Sequence, residues 1–381
     1  MRVLIVASWF PTSESPFSGI FIAEQARALA AEHEVTVVAP EVLPAGADAS
    51  RNLETAEGYT VIRIGLPARS LVHHFDYARA VVGEIRSSRC DVVHAHVTLP
   101  AGFAAVLSGR WTRRPVVITE HRGPFSALME TPRDRFKVRF ALKHADAVIA
   151  VSRALAGEMT VQGVGRHIEI VPNLVDVLRF RFSPTTRRPG EPYRLLFAGI
   201  LRDHNKNLPV LLHALAKLSV NGDAHRLTIV GDGELRKECE QLASELGIAA
   251  KCRFLGAVSP DELAGEMVNC DLFVLPSRAE TFGIVAAEAM AVGRPVVATR
   301  CGGPEDILTP ETGLLVPVDD PVALADAIAR VCGNLDAYRP EEISEYAGRR
   351  FGHAAVTARL TEIYRGVMRP RTQARRAAVV L

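Results

Sequence analysis

Short apolar runs rich in valine and isoleucine alternate with helix-length segments along this chain, and they form two separate series. Each run is apolar at nearly every position, which is typical of strands that helices cover on both faces, and therefore of a parallel sheet. The alternation predicts repeated βαβ units. The runs lie at 3–7, 35–39, 61–64, 92–95, 116–119, 147–151 and 168–171 in the first series, and at 195–198, 227–230, 252–255, 272–275, 296–298 and 314–316 in the second.

A stretch rich in proline and arginine separates the two series. Residues 179–192 contain three prolines and four arginines, which is the composition of a linker. The length of 381 residues also fits two domains of about 150 residues better than one. We predict a first domain over 1–180, a linker over 181–192 and a second domain over 193–350. We also predict that residues 340–368 are helical, and that a C-terminal helical segment over 351–381 crosses back to the first domain and ends in a basic tail.

The composition excludes several classes of protein. A net charge of +2 is too balanced for a dedicated nucleic-acid binder. The six cysteines are scattered without a C-x-x-C pair, so neither a zinc site nor a disulfide framework is indicated. The opening apolar stretch is too short for a signal peptide, and no apolar run is long enough to span a membrane. We therefore expect a cytoplasmic protein.

The most informative stretch follows the run at 272–275 and becomes a helix near Gly283. Free backbone N–H groups at a helix start favour an anion such as a phosphate. Glu280 lies in the loop ahead of this helix, and Glu288 lies inside it, on the order of 7 to 8 Å away along the axis. Two carboxylates at this separation can hold two ends of an extended ligand through charge-assisted hydrogen bonds. The spacing alone also fits a loop acid and a solvated helix residue.

The residues around the two glutamates resemble the signature of retaining glycosyltransferase family 4. That resemblance implies the GT-B fold, in which two Rossmann-like, doubly wound α/β domains face each other across a cleft. It also implies that Glu280 contacts the donor sugar and Glu288 the nucleotide ribose, and that the helix start contacts the donor phosphates. The matching or implied positions are Ser277, Glu280, Phe282, Gly283, Ile284, Val285, Glu288, Ala289, Met290, Ala291, Gly293, Pro295 and Val296.

Three segments of the first domain resemble the same family. Residues 16–25 resemble its first strand–loop–helix unit, where Gly19 brings the backbone close to the donor phosphates; an ordinary turn glycine is the alternative. Residues 91–102 resemble a His-x-His strand end, which implies that His96 and Thr98 line the acceptor side. His121 stands where the family has a histidine facing the donor sugar. A histidine that titrates near neutrality can orient a hydroxyl or relay its proton, although a structural role is the alternative.

The second domain resembles the family at the loop after its first strand. Lys206 matches the family lysine, which implies that its ammonium neutralises the departing diphosphate. Ile200 replaces the customary arginine, and Arg202 is the candidate substitute. The turn at Gly231 would flank the nucleoside, and backbone groups near Phe254 would face the base. A tight turn explains Gly231 equally well, and Gly302, in a glycine turn at 301–305, is a candidate of second rank.

The resemblance thus implies a retaining hexosyltransferase whose catalytic residues are His121, Glu280 and Lys206. It would move a sugar from a nucleotide diphosphate donor, such as a UDP-sugar or GDP-mannose, to a saccharide or lipid-linked acceptor in polysaccharide, lipopolysaccharide or glycolipid biosynthesis. The chain has no Asp-x-Asp motif, so we expect no metal and no required cofactor. The alternatives are an NAD(P)-dependent dehydrogenase, whose glycine motif is missing after the first strand, and a non-catalytic two-domain binding protein.

A basic segment with aromatic residues raises the question of membrane contact. Residues 133–143 contain five basic residues and one acid around Phe136 and Phe140, and Trp111 lies among three arginines at 110–114. A basic amphipathic helix can lie on the inner face of an anionic membrane. A helix with one packed face and one solvated face is the alternative. We expect no nucleic-acid partner.

Overall fold

The computed structural model of the protein describes residues 1–15, 17–44, 47–67, 73–184, 187–188, 190–220 and 225–369. The chain divides into two compact units. Unit 1 comprises Met1–Leu174 and His353–Leu381, and unit 2 comprises Val175–Gly352. The segment predicted as a linker falls within the range of unit 2. Three of its residues, Thr185, Thr186 and Pro189, lie outside the described residues, as does the basic tail after residue 369.

Unit 1 is built on an eight-stranded sheet in the order β3-β4-β2-β1-β5-β6-β7-β8. Its strands pair in parallel except for β3 with β4. The central strands are buried along their whole length, as expected for strands covered on both faces. The strands are β1 Arg2–Ala7, β2 Glu34–Leu43, β3 Ser50–Ala56, β4 Tyr59–Pro67, β5 Val92–His96, β6 Val116–Glu120, β7 Ala147–Ala150 and β8 Glu169–Ile170.

The edge strand β3 departs from the prediction of a purely parallel sheet. It pairs antiparallel with β4 through a tight connection that contains Gly58 at φ 82°. Five of its seven residues are exposed, and its sequence contains no apolar run. Apolar periodicity therefore could not detect it, because an exposed edge strand buries little surface.

The helices of unit 1 follow its strands as crossovers. Helix α1 buries Ile22, Ala26 and Leu29, the stripe that the sequence spacing indicates. Helix α4 begins after Thr131, whose side chain accepts a hydrogen bond from the backbone N–H of Asp134. The first five helices of the chain are α1 Ile20–Ala30, α2 His73–Ser88, α3 Phe103–Thr112, α4 Pro132–His144 and α5 Arg153–Val161.

Unit 2 contains a fully parallel six-stranded sheet in the order β11-β10-β9-β12-β13-β14. Together with unit 1, it confirms the predicted class of two doubly wound α/β domains. Its strands are β9 Tyr193–Ala198, β10 His225–Val230, β11 Cys252–Gly256, β12 Leu272–Leu275, β13 Val296–Thr299 and β14 Gly313–Val316. Its helices are α6 Leu208–Val220, α7 Arg236–Glu245, α8 Pro260–Asn269, α9 Ile284–Val292, α10 Pro304–Ile307, α11 Pro321–Cys332 and α12 Pro340–Phe351.

The C-terminal region forms two helices where the sequence predicts one over 340–368. Helix α12 ends before Gly352, and α13 spans His353–Met368. A Cβ atom at Gly352 would lie 2.5 Å from the carbonyl oxygen of Gly348, so only glycine fits this break. Helix α13 belongs to unit 1. There Tyr364 Oη lies 2.7 Å from Nδ1 of His94, and Thr361 Oγ1 lies 2.8 Å from Nε2 of His33.

A buried arginine fixes the start of the segment predicted as a linker to unit 2. Arg294 donates hydrogen bonds to the carbonyl oxygens of Ser183 and Pro184, and also to those of Met267 and Val268. Its burial lowers the pKa of the guanidinium. Carbonyl oxygens thus solvate a charge that would otherwise be costly to bury.

Candidate active site

The strand order of unit 2 brings two loops together. Strands β9 and β12 are neighbours at the point where the strand order reverses, which is where doubly wound sheets bind ligands beyond the carboxyl ends of their strands. Lys206 follows β9, and Glu280 follows β12. The Nζ atom of Lys206 lies 2.6 Å from Oε1 of Glu280. Two predicted catalytic residues that are 74 positions apart in the sequence therefore form one ion pair.

A buried serine orients the Glu280 carboxylate. The Oγ atom of Ser277 donates a hydrogen bond to Oε1 of Glu280 at 2.7 Å. Ser277 is fully buried, and its own carbonyl oxygen accepts a hydrogen bond from Oγ1 of Thr299. The side chain of Glu280 is only 10% exposed. Sequence comparison placed Ser277 in the motif without a role, and the structure shows that it holds the carboxylate in one orientation.

The glycine turn at 301–303 supports the backbone of Glu280. The N–H of Glu280 donates to the carbonyl oxygen of Cys301 at 2.9 Å, and the N–H of Gly303 donates to the carbonyl oxygen of Glu280 at 2.7 Å. A Cβ atom at Gly303 would lie 2.3 Å from the carbonyl oxygen of Phe282. The turn, which includes Gly302, therefore packs on the Glu280 loop only because Gly303 has no side chain.

Helix α9 begins near Gly283, as the sequence indicates. Gly283 is its N-cap at φ 89°, and Ile284 is its first residue. The N–H of Ala286 donates to the carbonyl oxygen of Gly283 at 3.0 Å. The amides of Ile284 and Val285 thus precede the first helical hydrogen bond, and amides in this position are the ones that bind anions.

Two further residues of the motif are buried. Glu288, the fifth residue of α9, is 9% exposed, so the alternative of a solvated helix residue is wrong. The ring of Phe282 lies 5.6 Å from the ring of Phe351, edge to face, in the core of unit 2. Phe282 is therefore left with only its backbone to contact a ligand.

The two glycines of the Gly-x-Gly turn have a packing function. A Cβ atom at Gly231 would lie 1.9 Å from the carbonyl oxygen of Gly199, and one at Gly233 would lie 2.3 Å from that of Leu201. Both glycines also have positive φ angles, 130° and 152°. Gly231 therefore fits the tight-turn alternative, because any side chain there would clash with the loop after β9. Its contact with the donor stays a prediction.

The remaining candidates of unit 2 lie at its surface or edge. Arg202 is exposed and has no ion pair or hydrogen bond within the residues that the structure describes, and Ile200 is 60% exposed. Phe254 is half-buried on the edge strand β11. The structure does not bring either Arg202 or Phe254 into contact with the Lys206–Glu280 pair.

In unit 1, His121 lies just after β6 in a buried hydrogen-bond chain. Its Nδ1 atom lies 3.0 Å from Oδ1 of Asn173, and its Nε2 atom lies 2.9 Å from Nδ1 of His96. Because the Asn173 oxygen accepts, Nδ1 of His121 carries the hydrogen, and Nε2 accepts one from His96. His96 Nε2 is then left without a partner among the described residues.

The expectation that His121 titrates near neutrality is wrong. Burial lowers the pKa of His121 to about 3, so the ring is neutral at physiological pH. Both ring nitrogens are engaged within unit 1, and this arrangement suits a fixed orientation better than proton relay. His94 is also neutral, because burial lowers its pKa to about 3.

The sequence reasoning missed Glu120, the last residue of β6. Its fully buried carboxylate accepts backbone hydrogen bonds from Thr98 at 2.9 Å, from His121 at 2.9 Å and from Arg122 at 2.8 Å. Burial raises the pKa of Glu120, while the hydrogen bonds oppose that shift. Glu120 thus ties together the loops after β5 and β6. The sequence feature that could have identified Glu120 is a carboxylate directly after the apolar run at 116–119.

Gly19 begins helix α1 in the left-handed region at φ 71°. A Cβ atom there would lie 2.7 Å from the carbonyl oxygen of Trp9. The close approach that requires glycine is therefore to the loop after β1, which agrees with the turn-glycine alternative. Two residues along, the ring of Phe21 lies 4.4 Å from the ring of His121, so α1 packs on the histidine.

Within the described ranges, no three His, Cys, Asp or Glu side chains are arranged to hold a metal ion. No helix in the same part of the chain is long and apolar enough to cross a membrane.

Two family models match most of the chain. Residues 18–179 match the model described as Glycosyltransferase Family 4, and residues 192–334 match the one described as Glycosyl transferases group 1. The chain is 33% identical over 291 residues to phosphatidyl-myo-inositol mannosyltransferase from Mycobacterium tuberculosis, covering 73% of this chain and 74% of that protein. It is 29% identical over 291 residues to N-acetyl-alpha-D-glucosaminyl L-malate synthase from Bacillus anthracis, covering 73% and 75%.

Solved structures agree with the fold. Sucrose-phosphate synthase from Thermosynechococcus elongatus superposes with a TM-score of 0.76 at 21% identity, covering 96% of this chain and 99% of that one. The Anabaena protein HepE in complex with UDP and glucose gives 0.75 at 21% identity, covering 96% and 100%. These similarities confirm the predicted GT-B fold.

The chain therefore belongs to glycosyltransferase family 4. Its function is that of a nucleotide-sugar glycosyltransferase, as predicted. Neither a dehydrogenase nor a non-catalytic binding protein finds support among these matches.

Proposed function

We propose that the protein is a retaining hexosyltransferase whose donor-binding center is the Lys206–Glu280 pair at the start of α9. The observation that carries this proposal is the 2.6 Å contact between Lys206 and Glu280. It lies beside the free amides of Ile284 and Val285 at the reversal of strand order in unit 2. A cation for the diphosphate, a carboxylate for the sugar hydroxyls and a helix start for a phosphate thus occur together.

In the mechanism we favour, the acceptor hydroxyl attacks the anomeric carbon from the face that the nucleoside diphosphate is leaving. The departing phosphate oxygen takes the proton of the acceptor. Lys206, Arg202 and the start of α9 stabilise the negative charge that grows on that phosphate. Glu280 and the neutral His121 orient the sugar. Glu288 binds the nucleotide ribose, with backbone groups near Gly19, Gly231, Phe254, Phe282 and Gly283 in supporting contacts.

The donor is a substrate, and the reaction requires no metal or other cofactor. Similar proteins support a nucleotide-sugar donor, since HepE is described in complexes with UDP and glucose and with UDP-glucose. The ammonium of Lys206 and the amides of α9 supply the positive charge for which other glycosyltransferases use a metal. Activity that persists in excess chelator would support this proposal, and activity restored only by a divalent cation would contradict it.

Unit 2 supplies most of the proposed donor contacts, to which unit 1 adds Gly19 and His121, and unit 1 also serves the acceptor. The acceptor is a saccharide or a lipid-linked saccharide, as the name of the related phosphatidyl-myo-inositol mannosyltransferase suggests. The enzyme acts in the cytoplasm and contacts the inner face of the cell membrane peripherally.

The experiment is a panel of uridine, guanosine and adenosine diphosphate sugars incubated with the full chain and with saccharide or lipid-linked saccharide acceptors. Release of nucleoside diphosphate identifies the donor, and proton NMR of the product identifies the anomer. Retention requires that the product keeps the donor configuration. An inverted product would contradict the retaining mechanism while leaving the glycosyltransferase family unaffected.

A further inference from the structure

Positive charge is concentrated in one region of unit 1. Residues 110–143 contain nine basic and three acidic residues, an excess of six positive charges. Because the chain as a whole carries only +2, the rest of it is negative by four. The near-neutral net charge is therefore the sum of a strongly basic region and a weakly acidic remainder of the chain. A strongly basic region attracts anionic partners over distances of about 10 Å.

This region forms one continuous surface across α3 and α4. Along α4, the rings of Phe136 and Phe140 lie 6.1 Å apart, and those of Phe140 and His144 lie 4.6 Å apart. At the end of α4, Nδ1 of His144 lies 3.2 Å from the guanidinium of Arg110 on α3. Trp111 follows Arg110. We call this surface, from Phe136 along α4 to Trp111, the basic-aromatic face.

Two large rings on the basic-aromatic face are exposed to solvent. Phe136 is 66% exposed and Trp111 is 72% exposed. The guanidinium of Arg86 lies 5.7 Å from the Trp111 ring, which adds a third helix, α2, to the surface. Exposed aromatic rings flanked by cations are typical of proteins that insert into the interfacial region of a bilayer.

The cations on this face are largely uncompensated. Arg113, Arg139 and Lys143 form no ion pair with any residue that the structure describes, whereas Lys137 is paired with Asp134. Arg139 and Lys143 border a depression of about 430 Å³ that Phe136 also lines. Unpaired ammonium and guanidinium groups around an open depression can bind phosphate oxygens without first breaking a salt bridge.

We infer that the basic-aromatic face docks on a bilayer that contains anionic phospholipid. The charges match phosphate headgroups, and the exposed rings match the acyl boundary beneath them. A soluble polyanion without an apolar surface accounts for the charges but not for two exposed rings. The inference rests on the proposed peripheral membrane contact and identifies the surface that makes it.

One end of the basic-aromatic face is remote from His121 within unit 1. The last turns of α3 and α4, which carry Trp111 and His144, lead into the beginnings of β6 and β7, whereas His121 follows the end of β6.

The experiment measures sedimentation of the full chain with vesicles. One preparation contains equal parts of phosphatidylglycerol and phosphatidylcholine, and the other contains phosphatidylcholine alone. Two double variants probe the face: Arg139→Gln with Lys143→Gln, and Trp111→Ser with Phe136→Ser. The matched control is Lys237→Gln with Arg330→Gln, which removes two exposed cations from unit 2.

We expect the wild type and the unit 2 control to bind the anionic vesicles far better than the neutral ones. The charge variant should bind the anionic vesicles about 25-fold more weakly, since each cation contributes about five-fold. The aromatic variant should also bind more weakly, and its loss should persist in high salt, where the charge effect is screened. Circular dichroism confirms folding of each variant.

Equal binding of the wild type to both vesicles would overturn the inference. So would unchanged binding of the aromatic variant, because that result would indicate a polyanion site rather than a bilayer surface. Nucleoside diphosphate release without vesicles is measured in parallel and should be the same in all three variants. If the wild type released none from any donor, the proposed function would fail while the vesicle result would still stand on its own.

Discussion

The ion pair between Lys206 and Glu280 joins the loops after the neighbouring strands β9 and β12 at the proposed donor site. The ammonium of Lys206 contacts the carboxylate of Glu280 directly. In the proposed function, the donor diphosphate is a second anion for that ammonium, so Lys206 would divide its hydrogen bonds between the diphosphate and Glu280. Ser277 keeps the carboxylate in place during this exchange, because its hydroxyl donates to the same oxygen that contacts Lys206.

Replacing Lys206 or Glu280 by alanine should reduce kcat by about 100-fold or more, because each substitution removes preorganised charge from the donor site. Folding should be preserved, as circular dichroism and thermal unfolding would show. The matched control is Arg236→Ala with Glu240→Ala, a surface pair on α7 at 2.8 Å, for which we expect unchanged kcat. Wild-type kcat in both site variants would exclude the proposed mechanism.

Glu120 should be important for stability as well as for loop geometry. In Glu120→Gln, the amide nitrogen replaces one carboxylate oxygen and cannot accept the N–H of Thr98 or those of His121 and Arg122. A buried donor left unpaired costs about 1 to 3 kcal/mol, so urea denaturation should show a loss in that range. The control Glu54→Gln removes charge from an exposed pair with Arg63 and should change stability by less than about 0.5 kcal/mol. Equal stability of the two variants would contradict this assignment.

At the level of elements, the glycine turn after β13 and helix α9 act as one support for Glu280. Gly303→Ala should weaken binding of the nucleotide sugar about ten-fold, since the added Cβ displaces the turn and removes its hydrogen bond to Glu280. Gly265→Ala in α8 is the control, because a Cβ there meets nothing within 4 Å. It should stabilise the protein by about 0.5 to 1 kcal/mol. Isothermal titration with the donor and thermal unfolding measure both effects, and equal affinities would contradict the support role.

The strands were predictable because burial on both faces leaves a run of apolar residues in the sequence. Every predicted run contains or overlaps a strand of the structure. The exposed strand β3 leaves no such run, and it was missed for that reason. The break between α12 and α13 at Gly352 was also missed, because a glycine within a helical pattern does not reveal that a carbonyl oxygen will approach it.

The site was predictable only where motif and topology coincide. The motifs singled out Glu280 and Lys206 separately, and the strand order explains why the loops that carry them meet. The protonation of His121 was not predictable, since it depends on burial beneath Phe21 and on contacts with His96 and Asn173. Those contacts join residues that are far apart in the sequence.

At the scale of the whole molecule, the two units differ in how they use buried polar groups. Unit 2 buries Arg294 among carbonyl oxygens, and this burial lowers the pKa of the guanidinium. Unit 1 buries neutral histidines that link β5 and β6 to α13 through Tyr364. Mild acid should therefore destabilise unit 1.

This difference predicts an acid-labile unit 1. Burial lowers the pKa of His94 and of His121 to about 3, and that of His96 well below its usual value. Between about pH 5.5 and pH 4, the unfolded chain binds these three protons and the folded chain does not. Stability should therefore fall as pH falls, by about 4 kcal/mol per pH unit, since each proton contributes about 1.4 kcal/mol.

Chemical denaturation at a series of pH values measures this slope, with intrinsic fluorescence of Trp9 and Trp111 reporting on unit 1. His94→Gln should reduce the slope of stability against pH by about 1.4 kcal/mol per pH unit, because it removes one histidine that binds a proton only on unfolding. His213→Gln, which replaces an exposed histidine of α6, should leave the slope unchanged. A slope of zero in the wild type would mean that the three histidines are already protonated in the folded protein. That result would contradict the assignment of donors and acceptors from Asn173 through His121 to His96.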